Sequence, residues 1–227
     1  MIPLKDDNPI SSRPIVTYFL IGLCVVVFLM QLGSQSYRTG QLFYSYGLIP
    51  SVLMGHDQLP MDLYSIPAYM TIFSSMFMHG GWIHLIGNMW YMKIFADNIE
   101  DNLGARNFII FYVLCGIGAA MAQVLMNTHS QVPMVGASGA IGGVLGAYLI
   151  NHPNARVLVL IPYIIITIIK IRALYVLGFW FILQFISSGG GVAYAAHIGG
   201  FVSGMVLILF FNKKTKRKNK VVKGPWS

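Results

Sequence analysis

Long apolar stretches separated by short polar segments run through nearly the whole chain. Six of them are long enough to cross most of a hydrocarbon core about 30 Å thick. They are Ile15–Leu32, Trp82–Ala96, Ala105–Met126, Val135–Ile150, Ala173–Ile186 and Tyr194–Phe211. Inside a bilayer no water is available to the backbone, so each crossing must satisfy its own hydrogen bonds as a helix. The pattern therefore predicts an all-α membrane protein built as a bundle of six transmembrane helices.

A seventh apolar run, Val157–Ile169, differs from the other six. It is shorter, it contains Pro162 and it is rich in β-branched residues, and these features disfavour a spanning helix. We interpret it as a re-entrant or interfacial segment. The predicted organisation is then an N-terminal segment (1–14), a transmembrane bundle (15–211) and a basic tail (212–227).

Composition and charge agree with a membrane bundle and give its orientation. Hydrophobic residues make up 56% of the chain and charged residues only 10%, which is too apolar for a soluble domain. Six spans place both termini on one side, and basic residues favour the cytoplasmic side. The tail carries Lys213, Lys214, Lys216, Arg217, Lys218, Lys220 and Lys223. We expect both termini in the cytoplasm, so the net charge of +8 does not require nucleic-acid binding.

Four polar residues interrupt the apolar spans at one depth. Ser138 lies at the outer end of the fourth span, His197 near the outer end of the sixth, and His84 and Asn88 in the outer half of the second. At a rise of about 1.5 Å per residue, all four lie roughly 5–10 Å below the outer boundary. Polar side chains at such a depth usually face protein or a water-filled cavity. A shared site is therefore predicted.

Small residues give two of these spans a face suited to close packing. At helical spacing, one face of the fourth span carries Ser138, Gly142 and Gly146. One face of the sixth span carries His197, Gly200 and Gly204. If the two faces meet, Ser138 and His197 come within hydrogen-bonding distance at the same depth. That geometry suits a nucleophile and its base.

The predicted chemistry is acyl transfer by a serine–histidine dyad. Neutral His197 takes the proton of Ser138 and later gives it to a leaving amine. His84 and Asn88, one turn apart, are placed to donate to the tetrahedral oxyanion together with the Ser138 amide. All seven acidic residues lie outside the fourth and sixth spans. The sequence thus offers no carboxylate to orient the histidine.

Access of water to this site follows from the length of the fourth span. Val135–Ile150 is about 24 Å long as a helix, which is shorter than the roughly 30 Å core. If the inner end of this span lies at the cytoplasmic face, its outer end, with Ser138, lies below the outer surface of the membrane. Water can then reach Ser138 only through a hydrophilic cavity that is open to the outside. We interpret Ser187–Val192, which reads SSGGGV, as a lid over that cavity.

Less specific interpretations compete with this one. A serine in a glycine-rich membrane helix most often serves packing, and an intramembrane histidine often makes a structural hydrogen bond. A metal site formed by His79, His84 and His197 is disfavoured because no acidic residue lies near them and no H-E-x-x-H motif occurs. We expect no metal and no cofactor. Glu100 is interpreted as a structural residue, in an ion pair or at a helix terminus.

The order and spacing of the motifs resemble the rhomboid family of intramembrane serine proteases, from Ile15 to Phe211. The motifs are H-x-x-x-N at His84–Asn88 with His79 five residues earlier, Glu100 followed by Gly104, G-x-S-G at Gly136–Gly139, and A-H-x-x-G-x-x-x-G at Ala196–Gly204. The first outer loop, Gly33–Tyr69, lacks the W-R dipeptide seen in many members.

The resemblance implies six helices, Ser138 as nucleophile and His197 as base. It implies oxyanion contacts from His84, Asn88 and the Ser138 amide. It also implies single-span membrane proteins as substrates, cut within or near their spanning segment. We expect a multi-pass protein in contact with membrane lipids, in a bacterial cytoplasmic (inner) membrane.

Two functions of other classes stay open at this point. A membrane-protein binder or chaperone could use the same helical scaffold without proteolysis. A transporter could use the histidines as a proton relay, although the absence of acidic residues in the middle of the spans disfavours it.

Overall fold

The computed structural model describes residues 1–34, 36–162, 166–186 and 193–212. Its helices are α1 (Ile15–Gly33), α2 (Ser36–Tyr46), α3 (Pro50–Leu53), α4 (Thr71–Ser74), α5 (Trp82–Leu103), α6 (Ala105–Met126), α7 (Ser138–Asn151), α8 (Ala173–Ile186) and α9 (Tyr194–Phe211). The predicted helical bundle is confirmed. Helices α6, α8 and α9 begin and end at the predicted residues, whereas α7 begins at Ser138 and not at Val135.

The long apolar helices indicate a membrane protein. Within the described ranges, α1, α6 and α9 are each long and apolar enough to cross a bilayer. Helices α7 and α8 are apolar but have 14 residues each, about 21 Å. Helix α5 has 22 residues and ends in a polar, partly acidic turn. Six spans therefore stay a prediction.

The seventh apolar run forms a β-hairpin. Strand β2 (Arg156–Pro162) pairs antiparallel with β3 (Ile166–Arg172), and β1 (Ile2–Asp6) joins β2 on its other side, giving the order β1-β2-β3. The run is rich in β-branched residues, which are favoured in strands. This sheet corrects the purely helical description. As predicted, the run does not add a seventh spanning helix.

Hydrogen bonds attach strand β1 of the N-terminal segment to helices α5 and α7. The Trp90 indole N–H donates to the carbonyl oxygen of Pro3 at 2.6 Å. The Tyr148 hydroxyl, near the end of α7, donates to the Asp6 carboxylate at 2.5 Å. These two bonds join strand β1 to the bundle, so residues 2–6 are held against the folded helices.

Glu100 fixes the start of α1 to the end of α5. Its side chain is buried, and its carboxylate accepts the backbone N–H groups of Val16 and Thr17 at 2.9 and 2.7 Å and the Thr17 hydroxyl at 2.7 Å. No side chain at the N-cap position of α1 forms a capping hydrogen bond, so Glu100 supplies the acceptors that a cap would supply. Its negative charge also suits a helix N-terminus. The interpretation of Glu100 as a structural residue at a helix terminus is confirmed.

Replacing Glu100 by glutamine is expected to lower the free energy of unfolding by about 3 kcal/mol, because hydrogen bonds to a charged group weaken and one buried donor loses its acceptor. Thermal unfolding in detergent measures the change. Asp62→Asn, at an exposed position, serves as the control and is expected to leave the midpoint unchanged. Equal midpoints for the two variants would contradict this role of Glu100.

Helices α7 and α9 touch through their backbones. Every residue of α7 from Gly139 to Tyr148 is buried. A methyl group built on Gly200 would overlap the carbonyl of Gly139, and one on Gly204 would overlap the backbone of Gly143. Gly142 and Gly146 also face the α9 backbone, at His197 and Phe201. The two small-residue faces meet, as the sequence pattern predicts.

Candidate functional site

Ser138 and His197 lie at the starts of their helices. Ser138 is the first residue of α7, and His197 is in the first turn of α9. The His197 Nε2 atom lies 2.8 Å from the Ser138 Oγ atom, which is the length of a good hydrogen bond. The close α7–α9 contact thus brings together the two side chains that the depth argument pairs.

A cavity of about 880 Å³ opens in front of this pair. Its lining includes all four residues predicted from the sequence: His84, Asn88, Ser138 and His197. The first turns of α5, α7 and α9 all contribute to the wall. Helix N-termini carry partial positive charge and unpaired N–H groups. Three of them around one cavity favour a developing negative charge inside it.

Asn88, in the cavity wall, has a side-chain donor without a partner. Its side chain is buried, and its Nδ2 has no hydrogen-bond partner among the described residues. A buried donor left without an acceptor costs about 1–3 kcal/mol. Because Asn88 also lines the cavity, this unpaired N–H group belongs to a residue of the cavity wall.

His84 is oriented to present a second donor. The Gly80 backbone N–H points to the His84 Nδ1 atom at 3.4 Å, so Nδ1 is the accepting nitrogen. In a neutral imidazole the proton is then on Nε2. That nitrogen faces the space beside Gly136, close to Ser138.

Gly136 keeps this space open. A Cβ atom at this position would lie 2.7 Å from the His84 Nε2 atom and 3.5 Å from the Ser138 Oγ atom. Its φ angle is +128°, a conformation that residues with a side chain rarely adopt. Both the space and the backbone angle therefore require glycine two residues before Ser138.

His197 has a further partner that the sequence argument missed. Its Nδ1 atom lies 2.8 Å from the Gln184 Oε1 atom, and the Trp180 ring lies beside the imidazole with 5.8 Å between centroids. Both residues belong to α8. Gln184 is the one amide in the apolar stretch Ala173–Ile186. A polar residue in such a stretch faces protein, and this signal could have identified it.

His79 lies outside the group that the structure brings together. Its ring packs edge-on against that of His84, 5.2 Å between centroids, and its Nδ1 atom lies 3.2 Å from the Phe77 carbonyl oxygen. It is not part of the cavity wall. In the part of the chain that the structure describes, no three His, Cys, Asp or Glu side chains are grouped as metal ligands.

The residues that line the cavity all lie in a segment of the chain that matches a known sequence family. The Rhomboid domain model matches residues 67–214, which is more than half of the chain. This chain belongs to the rhomboid family. With its apolar helices, it is an integral membrane protein.

Relatives with this domain occur in bacteria and eukaryotes. The Bacillus subtilis protein named Rhomboid protease GluP is 28% identical over 197 residues, 86% of this chain and 34% of that protein. RHOMBOID-like protein 5 of Arabidopsis thaliana is 32% identical over 60% of this chain and 42% of the relative. Rhomboid protein 1, mitochondrial, of Saccharomyces cerevisiae is 25% identical over 90% of this chain and 56% of the relative. The rhomboid chain thus spans between a third and just over half of the length of each of these relatives.

Two predictions concern residues outside the described ranges. The proposed lid Ser187–Val192 is one, and the basic tail from residue 213 onward is the other. Both stay predictions.

Proposed function

We propose that this rhomboid-family chain is an intramembrane serine endopeptidase that cuts single-span membrane proteins within or near their spanning segment. The observation that carries the proposal is the 2.8 Å contact between the Ser138 Oγ and His197 Nε2 atoms in the wall of a cavity large enough for a peptide segment. Family membership and a relative named a protease support this class of activity.

In the proposed reaction, the Ser138 Oγ atom attacks the carbonyl carbon of the scissile peptide bond. His197 Nε2 removes the hydroxyl proton as the new C–O bond forms and returns it to the leaving nitrogen as the C–N bond breaks. Water then attacks the acyl-enzyme, with His197 again as the base. The second product leaves as a carboxylic acid and the Ser138 hydroxyl is regenerated.

The proposed oxyanion site combines side-chain and backbone donors. Asn88 Nδ2, which is unpartnered in the described structure, and His84 Nε2 supply side-chain N–H groups. The amide at the start of α7 supplies a backbone N–H, since amides of a first helical turn have no acceptor within the helix. Donors held in advance at the place where negative charge develops lower the barrier.

The charges in the described residues support the proposed orientation. Lys5, Arg156, Lys170 and Arg172 lie on the sheet, which is hydrogen-bonded to α7 at Tyr148, ten residues beyond Ser138. Basic residues favour the cytoplasmic side. We therefore place the sheet and both termini in the cytoplasm, and the cavity toward the outside of a bacterial cytoplasmic membrane.

The test is a cleavage assay in liposomes with a broad panel of single-span substrates and a fluorophosphonate probe for activated serines. We expect wild-type protein to cut some of them, and the probe to label Ser138 and stop the cutting. Folded protein that binds these substrates, cuts none and takes up no probe would instead support a membrane-protein binder or chaperone. Solute transport that survives labelling would support a transporter.

Asn88→Leu is expected to lower kcat by about 10²–10³-fold, the usual effect of losing one oxyanion donor. The loss should be smaller than that of the nucleophile. Because leucine has a similar size and removes an unpartnered buried donor, the free energy of unfolding should stay the same or increase. Kinetics and thermal unfolding on the same preparation check both statements. Wild-type kcat in this variant would exclude Asn88 from the oxyanion site.

A further inference from the structure

Gln184 is held in one orientation by its own helix. Its Nε2 group donates to the Trp180 carbonyl oxygen at 2.7 Å, one turn earlier in α8. The side chain is buried, so bulk water does not compete for the amide. With the NH₂ group engaged in this way, the atom that faces the His197 Nδ1 atom is the oxygen, at 2.8 Å.

This orientation determines which nitrogen of His197 carries the proton. The Gln184 Oε1 atom only accepts hydrogen bonds, so the Nδ1 atom must donate. In the neutral imidazole Nε2 is then unprotonated, and its lone pair faces the Ser138 hydroxyl. A base that removes the serine proton needs this tautomer. The opposite tautomer would present an N–H group to the hydroxyl and could not accept the proton.

The contact between the Gln184 Oε1 and His197 Nδ1 atoms also stabilises the protonated imidazole. When Nε2 takes the serine proton, the imidazole becomes a cation with two N–H groups. The Gln184 carbonyl dipole already faces the Nδ1–H group, so no group must reorient during the step. The Trp180 ring, tilted 34° from the imidazole, also limits rotation of His197.

We propose that Gln184 is a positioning residue that holds His197 in the tautomer and ring orientation of a general base, in place of the carboxylate of a triad. The proposal rests on the proposed function of Ser138 and His197. It assigns to α8 a part in the reaction without contact between Gln184 and the substrate.

The first test is Gln184→Met, which keeps the size and flexibility of the side chain but removes the acceptor. We expect kcat to fall about 10- to 10²-fold, part of what a general base contributes, with KM unchanged. The ¹⁵N signals of the His197 ring in histidine-labelled protein should move toward the tautomer with its proton on Nε2.

The matched control is Gln123→Met. Gln123 lies on α6, and its Oε1 atom accepts the Ala196 backbone N–H at 3.3 Å, so it also ties α9 to a neighbouring helix but does not touch the imidazole. This variant is expected to leave the His197 ring signals and kcat near their wild-type values. A similar loss in both variants would mean that Gln184 acts only by holding α9.

Gln184→Glu provides the rescue. A carboxylate again accepts from Nδ1, so we expect kcat near neutral pH to exceed that of Gln184→Met. The negative charge also stabilises the imidazolium, which is inactive as a base, so the acid limb of the kcat/KM profile should move to higher pH. If Gln184→Met does not fold, absence of this pH shift would still contradict the contact between Gln184 and the His197 Nδ1 atom on which the proposal rests.

The proposal is overturned if Gln184→Met keeps wild-type kcat and ring signals, or if the acid limb of Gln184→Glu stays in place. The ring signals also separate this proposal from the proposed function. If wild-type protein cleaves nothing, the proposed function fails, while a tautomer change in Gln184→Met would still show that Gln184 sets the protonation of His197.

Discussion

Ser138→Ala is expected to reduce substrate cleavage to the background rate, a loss of about 10⁶-fold in kcat by comparison with the loss of a serine nucleophile elsewhere. The reason is that no other hydroxyl in the described cavity wall is hydrogen-bonded to His197. His197→Ala should cost nearly as much, because Ser138 then loses the only base at its Oγ atom among the described residues. The oxyanion donors remain in both variants.

The double variant gives a sharper result than either single one. Residues that act as a unit in one step lose their effect together, so Ser138→Ala combined with His197→Ala should be no slower than Ser138→Ala alone. Single-turnover cleavage in liposomes measures all three rates. Additive losses would show that the two side chains act independently and would contradict the dyad.

A serine outside the cavity provides the control for this experiment. Ser203 lies on α9, next to Gly118 of α6, and is not part of the cavity wall. Ser203→Ala removes a hydroxyl from the same helix as His197 and is expected to keep kcat within about threefold of wild type, as for a substitution away from the reacting groups. Residual cleavage by Ser138→Ala at the level of Ser203→Ala would rule out Ser138 as the nucleophile.

The pairing of Ser138 with His197 could be predicted because both of its determinants are local in sequence. Helical rise converts residue number into depth, and glycines at intervals of four mark the faces along which two helices can approach. The depth estimate tolerates an error of a few residues. For this reason the pairing of Ser138 with His197 does not depend on the start of α7, which lies three residues later than predicted.

Gln184 could not be placed in the same way. Its contact with His197 depends on how α8 lies against α9, and α8 has no pattern of small residues comparable to that of α7. The sheet was missed for a related reason. Strand β1 pairs with a segment more than 150 residues away in sequence, and nothing within residues 2–6 indicates that partner. The strand-like composition of Val157–Ile169 was visible, but its pairing was not.

Gly204→Ala is expected to lower the free energy of unfolding by roughly 3 kcal/mol, the upper part of the range for overpacking a core. The added methyl group would meet backbone atoms of Gly143, which cannot rotate away as a side chain can. The two helices must therefore separate. Gly22→Ala is the matched control, because nothing lies within 4 Å of its new Cβ atom, and better helix propensity should make it neutral or slightly stabilising.

Separation of α7 and α9 in Gly204→Ala should also slow cleavage. This second effect distinguishes Gly204 from a residue that contributes to stability alone. Gly204 lies two turns beyond His197 on α9, so moving the helix there changes the 2.8 Å contact with Ser138. A misplacement of about 1 Å costs on the order of 10²-fold in rate. We expect Gly204→Ala to lower both the free energy of unfolding and kcat, whereas Ser138→Ala lowers only kcat. If folded Gly204→Ala protein kept wild-type kcat, the close backbone contact would not be what positions the dyad.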